Sequence, residues 1–98
     1  MLSGVGFRPS VVIILATMNA TSKKGMSQGF GYASVNHCVA QLADGTNYHS
    51  SSYCVYVEDT SANDWAGAIT NIGADGFTIT WTMTGLPGSV YFTYLCLP

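Results

Sequence analysis

The side chains with the greatest chemical capability in this 98-residue sequence are its two histidines and three cysteines. His37 and Cys38 are adjacent, but neighbouring residues of a strand point to opposite faces, so they cannot act together as base and nucleophile. The sequence contains no nucleophile elbow and no phosphate-binding glycine loop. We therefore predict no catalytic residues, no cofactor and no enzymatic activity.

The same residue types predict no metal site. A structural zinc ion needs four Cys or His ligands in paired spacings, whereas Cys38, Cys54 and Cys96 lie far apart. Residues 58–64 offer oxygen ligands to calcium but lack the spaced Asp, Asn and Gly pattern of a calcium loop, so we predict a solvated turn there. The odd number of cysteines predicts free, buried thiols in a chain made in a reducing cytoplasm.

Two groups of aromatic and polar residues have the composition of a sugar-binding site. Such sites on β-sandwiches place an exposed aromatic ring beside Asp, Asn or Gln side chains. The groups are Trp65 with Asn63 and Asp64, and Tyr48 with Asn47 and His49. The alternative is that Trp65 is a core or interface residue, because Trp and Tyr are common in both settings.

The composition excludes several classes of protein. Hydrophobic residues make up 48% of the chain and charged residues 8%, against about 25% charged in an ordinary soluble domain. With only three basic residues and a net charge of −2, the chain cannot neutralise a nucleic-acid backbone. The longest apolar run, residues 11–16, is too short to cross a bilayer and is unlike a secretory signal. We expect one domain over residues 1–98.

Hydrophobic periodicity predicts strands and no helix. The clearest strand is 77–84, in which large apolar residues alternate with threonine, and the run 11–16 is apolar on both faces. Further strands are predicted at 29–35, 37–43, 53–57, 66–72 and 89–97, with loops at 44–52 and 58–65. The glycines of 29–35 indicate close approach of neighbouring groups. Six or seven short strands predict a compact, jelly-roll-like antiparallel β-sandwich.

The predicted core consists of large apolar side chains from these strands. They are Phe7, Val12, Ile14, Phe30, Tyr32, Phe77, Ile79, Trp81, Phe92 and Tyr94.

The shortage of charge favours assembly, because charged side chains are what usually prevent sheet edges from pairing. Residues 89–97 are apolar on both faces. One face can fill the sandwich, and the other needs a cover that a neighbouring subunit would supply. This second face is Tyr91, Thr93, Leu95 and Leu97, which we predict as a self-association surface. The alternative is that a second sheet of the same chain covers it.

Four segments occur in an order and spacing that resemble a known family. They are GVGFRPSVVII at 4–14, QGFGYA at 28–33, DGFTITWT at 75–82 and YLCL at 94–97. The series resembles a small β domain of tailed-bacteriophage virion proteins, a family that implies no catalytic residues.

The resemblance implies a virion structural protein of head-decoration, head-fibre or tail-associated type. The expected function is that of a capsid decoration or cement protein that binds the major capsid protein. The expected assembly is a homo-oligomer, with a trimer preferred by analogy with decoration proteins at three-fold positions. The alternative is a receptor- or glycan-binding domain of a tail or fibre, with contacts from Trp65, Asn63, Asp64 and Tyr48.

Overall fold

The computed structural model describes residues 2–18, 25–32, 34–42, 45–60, 63–85 and 88–98, which form eight strands and no helix. The strands are β1 (Val11–Met18), β2 (Met26–Tyr32), β3 (Val35–Gln41), β4 (Asn47–Ser50), β5 (Val55–Thr60), β6 (Asn63–Gly73), β7 (Gly76–Thr84) and β8 (Val90–Leu97). The predicted all-β class is confirmed, with eight strands rather than six or seven. The described part of the chain has no helix of the length and apolarity needed to span a membrane.

The strands form two antiparallel sheets that pack as a sandwich. The large sheet has the order β4-β3-β2-β1-β8, and the small sheet has the order β5-β6-β7. Every second residue of β1 is buried between the sheets, where Val12 and Ile14 contact Val55, Ile69 and Phe77. We call this side of the large sheet its inner face and the opposite side its outer face.

The prediction that glycines of β2 permit close approach is confirmed. Gly29 and Gly31 are buried on the inner face, where a Cβ at Gly31 would come within 2.5 Å of the Ile69 side chain. Strand alternation therefore turns Phe30 and Tyr32 outward, where they are 38% and 42% exposed. Their predicted place in the core is wrong, because the interior at β2 is filled by neighbouring groups rather than by aromatic rings.

The other core predictions divide between buried and peripheral positions. Val12, Ile14 and Phe77 are fully buried, and Ile79 and Trp81 pack against them half-buried. Three predicted core residues lie outside the core cluster. Phe7 is half-buried, and Phe92 and Tyr94 are 37% and 39% exposed. Phe92 and Tyr94 do contact Trp81 and Phe77, at ring-centroid distances of 5.6 and 5.1 Å, but β8 is an edge strand that leaves one side of each ring open.

Both predicted loops contain strand structure. Within 44–52, β4 pairs with β3, so that Ala40 lies opposite Tyr48. Within 58–65, the ends of β5 and β6 pair, with Val57 opposite Trp65. The polar composition of these segments predicted loops. They form strands instead, because β4 pairs with β3 and the end of β5 pairs with the start of β6.

The cysteines are free, as their odd number predicted. Cys38 and Cys54 are buried and Cys96 is half-buried. Burial raises the pKa of all three thiols, and that of Cys54 to about 11. Because the thiolate is the reactive form, burial lowers the fraction of reactive thiolate at neutral pH.

The segment before β1 is fastened to the hairpin between β6 and β7. The Asp75 carboxylate accepts hydrogen bonds from the backbone N–H groups of Gly6, at 2.6 Å, and Gly4, at 3.0 Å. Both glycines have positive φ, which other residues rarely adopt. Leu2 continues the attachment, because its backbone pairs with that of Phe77.

We expect this attachment to loosen in acid. The Gly6 and Gly4 N–H groups hold the pKa of the Asp75 carboxyl below its ordinary value. Because the pKa is lower in the folded protein than in the unfolded chain, the hydrogen bonds stabilise the segment fully at pH values above the unfolded-state pKa. They are lost as the pH falls through the folded-state pKa and the carboxylate is protonated. The amide NMR shifts of Gly4 and Gly6 should therefore titrate together below pH about 4.

Asp75→Asn should abolish that titration, and the Gly45 amide, which donates to the Leu42 carbonyl instead, serves as the internal control. If the Gly4 and Gly6 amide shifts do not change with pH in the wild-type protein, this would contradict the hydrogen bonds to Asp75.

Candidate interaction surface

The outer face of the large sheet is the most extensive apolar surface among the described residues. Its rows follow from the strand register: Ile13 of β1 lies between Phe30 of β2 and Leu95 of β8. The side chains of this face come from all five strands. They are Val11, Ile13, Leu15, Thr17, Met26, Gln28, Phe30, Tyr32, Val35, His37, Val39, Gln41, Asn47, His49, Tyr91, Thr93, Leu95 and Leu97.

No strand of the large sheet contains an Asp, Glu, Lys or Arg residue. The most polar groups of its outer face are amides, hydroxyls and the imidazoles of His37 and His49. These two rings lie 6.2 Å apart between centroids, and the His37 ring lies 5.5 Å from that of Phe30. A row of ring side chains therefore continues from β2 across β3 to β4.

The outer face is open rather than covered by another part of the described chain. Leu15 is 47% exposed and Val39 is 56% exposed, although both are strand residues. Between them a shallow groove of about 610 Å³ is lined by Phe30, His37 and other residues of β1 to β4. A soluble monomer rarely exposes a contiguous apolar area of this kind, so the outer face has the character of an interaction surface.

The predicted self-association residues occupy one border of this face. Tyr91, Thr93, Leu95 and Leu97 all lie on the outer face of β8, and Tyr91 is the most exposed, at 61%. The sequence prediction did not include Leu15 or Val39, which extend the surface across the sheet. The run 11–16 is apolar on both faces and so contains a signal for Leu15, but the same pattern is typical of a strand covered on both sides.

The predicted sugar-contacting residues do not converge on one site. Asp64 and Trp65 are successive residues of β6, so they point to opposite faces of the small sheet. The Trp65 ring packs edge-on against Trp81, and its indole N–H donates to the Gly88 carbonyl at 2.9 Å. Trp65 is half-buried, and Asn63, also half-buried, lies at the start of the same strand.

Tyr48 and Asp64 are instead linked through a residue that the sequence analysis did not select. The Tyr56 hydroxyl donates to the Asp64 carboxylate at 3.1 Å, and the Tyr56 ring lies 4.6 Å from that of Tyr48. Burial, followed by the bond to Asp64, raises the pKa of Tyr56 far above its usual value. One oxygen of the Asp64 carboxylate thus accepts a hydrogen bond from a hydroxyl of the same chain.

The described residues contain no group of three or more His, Cys, Asp or Glu side chains that could hold a metal ion. Comparison with known proteins gave no match to a family model, to a curated protein or to a solved structure.

Proposed function

We propose that this protein is a non-enzymatic structural component of a bacteriophage particle, a decoration or cement protein that packs against the capsid surface. The observation that carries the proposal is the largely apolar outer face of the large sheet, whose strands contain no Asp, Glu, Lys or Arg residue. The order of the four sequence segments supplies the bacteriophage context. On this proposal the protein resides in the virion, and its principal partner is the major capsid protein.

The exposed area of the outer face supports docking on another protein. Eight large side chains on it are between 38% and 61% exposed: Leu15, Met26, Phe30, Tyr32, Val39, Tyr91, Leu95 and Leu97. Since a large side chain carries roughly 150–250 Å², these eight present on the order of 700 Å². A standard stable interface buries about 600–1,000 Å² on each partner. The face is therefore large enough for stable attachment.

The absence of charge also supports permanent burial. Each charged group taken into an interface must find a partner or lose its hydration at a cost. The strands of the large sheet contain no Asp, Glu, Lys or Arg residue, so burial of the outer face takes none of these side chains out of water. The glycan-binding alternative has less support, because Trp65 and Asp64 are directed to opposite sides and already make intramolecular hydrogen bonds.

The proposal predicts a high copy number and binding through the outer face. Quantitative mass spectrometry of purified particles should find this chain in hundreds of copies, and the recombinant protein should bind heads that lack it. Val39→Asp should weaken that binding at least about tenfold, because burial of the new carboxylate removes its hydration.

The matched control is Thr82→Asp, which places the same charge on an exposed threonine of the small sheet. It should bind heads as the wild-type protein does. A copy number of a few tens or fewer, or equal binding by the two variants, would contradict the decoration proposal. Glycan-array binding that is lost in a folded Trp65→Ala protein would favour the alternative.

A further inference from the structure

We infer that β8 pairs antiparallel with β8 of a second copy of this chain, which joins two large sheets into one continuous ten-stranded sheet. The inference concerns the edge of the sheet rather than its outer face, so it does not depend on the proposed function. The partner is a second copy, and the interaction consists of main-chain hydrogen bonds together with contacts between apolar side chains.

Among the described strands, β8 has the most accessible long edge. β1 lies along one of its sides, and no described segment pairs with the other. Six of its eight residues are exposed, and it contains no charge, proline or bulge. An edge strand with these properties lacks every device that normally prevents pairing with another chain.

The other sheet edges are short, covered, or occupied in part. β4, at the far side of the large sheet, is only four residues long. The backbone of β5 lies against β2, where the Ser27 hydroxyl accepts the Tyr56 N–H and a Cβ at Gly29 would overlap the Cys54 carbonyl oxygen. The edge of β7 is occupied at its start by Leu2, which pairs with Phe77.

A second β8 matches the first because the sequence of this strand is self-complementary about Thr93. In an antiparallel pair centred on Thr93, Tyr91 lies opposite the partner's Leu95, which joins the two most exposed side chains of β8. Phe92 lies opposite the partner's Tyr94, and the two Thr93 residues face each other. Aromatic–aliphatic, aromatic–aromatic and Thr–Thr pairs are all favourable cross-strand neighbours.

The exposed side chains of β8 offer apolar area for contact with a second copy. The five large side chains Tyr91, Phe92, Tyr94, Leu95 and Leu97 are between 37% and 61% exposed. At roughly 150–250 Å² for each side chain, they present on the order of 500 Å² on each copy. Edge pairing covers the flanks of these side chains and the edge backbone, so the dimer buries part of this area and leaves the outer face open. Pairing also gives β8 the neighbours that a strand with two apolar faces has inside a sheet.

The central pair provides a direct test by cross-linking. Thr93→Cys, in a Cys96→Ser background, places two thiols opposite each other at a Cβ separation of about 4.5–5.5 Å, from which mild oxidation forms a disulfide. We expect a dimer band on a non-reducing gel that reducing agent converts to monomer. Leu95→Cys in the same background is the matched control and should give little dimer, because it faces Tyr91 of the partner.

A charge exchange tests the register independently. Leu95→Asp should raise the dimer dissociation constant at least about tenfold, because each carboxylate replaces an apolar contact with the partner's Tyr91 ring and loses part of its hydration there. Adding Tyr91→Arg should restore association, since each guanidinium then faces a carboxylate across the interface. Residues 91 and 95 lie four positions apart on one strand, so that pair cannot form within one chain.

Sedimentation distinguishes this dimer from the alternatives. We expect twice the 10.4 kDa mass of one chain, in wild type and in Val39→Asp. A monomer at all micromolar concentrations, or a trimer, would overturn the inference, because two-fold pairing of one edge closes at two copies. Dissociation by Val39→Asp without cross-linking of Thr93→Cys would show that the outer faces meet instead. A monomer that still binds heads would overturn this inference while leaving the proposed function intact.

Discussion

Gly29→Ala should be among the most destabilising single substitutions in this protein. A Cβ on Gly29 would overlap the Cys54 carbonyl oxygen and lie 2.6 Å from that of His37. Both obstacles are backbone atoms, so relief requires the sheets to separate. We expect a loss of about 3 kcal/mol or more in the free energy of unfolding, at the upper end for overpacked cores. For a domain of this size, that loss lowers the melting temperature by roughly 12–24 °C.

The measurement is thermal and urea unfolding followed by circular dichroism, and Gly88→Ala is the control. A Cβ at Gly88 would approach no atom closer than 3.7 Å, and its φ lies outside the left-handed region. Gly88→Ala should change stability by no more than about 0.5 kcal/mol. Similar melting temperatures for the two variants would show that β5 does not lie against β2 as described.

Asn36→Ala should have an effect of similar size for a different reason. Asn36 is 6% exposed, and its amide bonds both backbone groups of one residue: Oδ1 accepts from the Ile69 N–H at 2.8 Å, and Nδ2 donates to the Ile69 carbonyl at 3.2 Å. Truncation leaves two buried backbone groups without partners, each costing about 1–3 kcal/mol. We therefore expect a loss of about 2–5 kcal/mol.

Two further variants separate this hydrogen-bond pairing from side-chain packing. Asn71→Ala removes an exposed asparagine from the same region of β6 and should change stability little. Asn36→Asp keeps an acceptor for the Ile69 N–H but loses the donor and buries a charge. This variant should gain stability relative to wild type as pH falls, because the protonated carboxyl regains a donor. An Asn36→Ala protein as stable as Asn71→Ala would contradict the stabilising role of the two hydrogen bonds between Asn36 and the Ile69 backbone.

The sequence predicted strand positions better than it predicted which face of each strand is buried. In β7 the alternation of large apolar residues with threonine predicted both the position of the strand and its buried face, because only the apolar face could enter a core. In β2 the inner positions are Gly29 and Gly31, so the large ring of Phe30 suggested the wrong face. Glycine on an inner face reflects the close approach of β5 and Ile69, which are distant in the sequence.

The same limit applies to the interaction surface. β1 is apolar on both faces, which is typical of a strand covered from both sides, yet Leu15 is exposed on the outer face. No pattern within β1 indicates that none of the described residues covers its second face. The sequence analysis also missed Asn36, although it lies on the same face of β3 as the buried residues Cys38 and Ala40. An asparagine in an otherwise apolar strand is therefore worth considering as a bridge between sheets.

The pairing of β1 with β8 affects how the protein folds during its synthesis. Val11 lies opposite Leu97, so the neighbour on one side of β1 is translated long after β1 itself. At about 5–20 residues per second, the interval is roughly 4–17 seconds. During that interval β1 has one unpaired apolar edge in the nascent chain, where it is open to pairing with other nascent chains. The yield of folded protein should therefore depend on the rate of translation, and slow elongation should favour aggregation over folding.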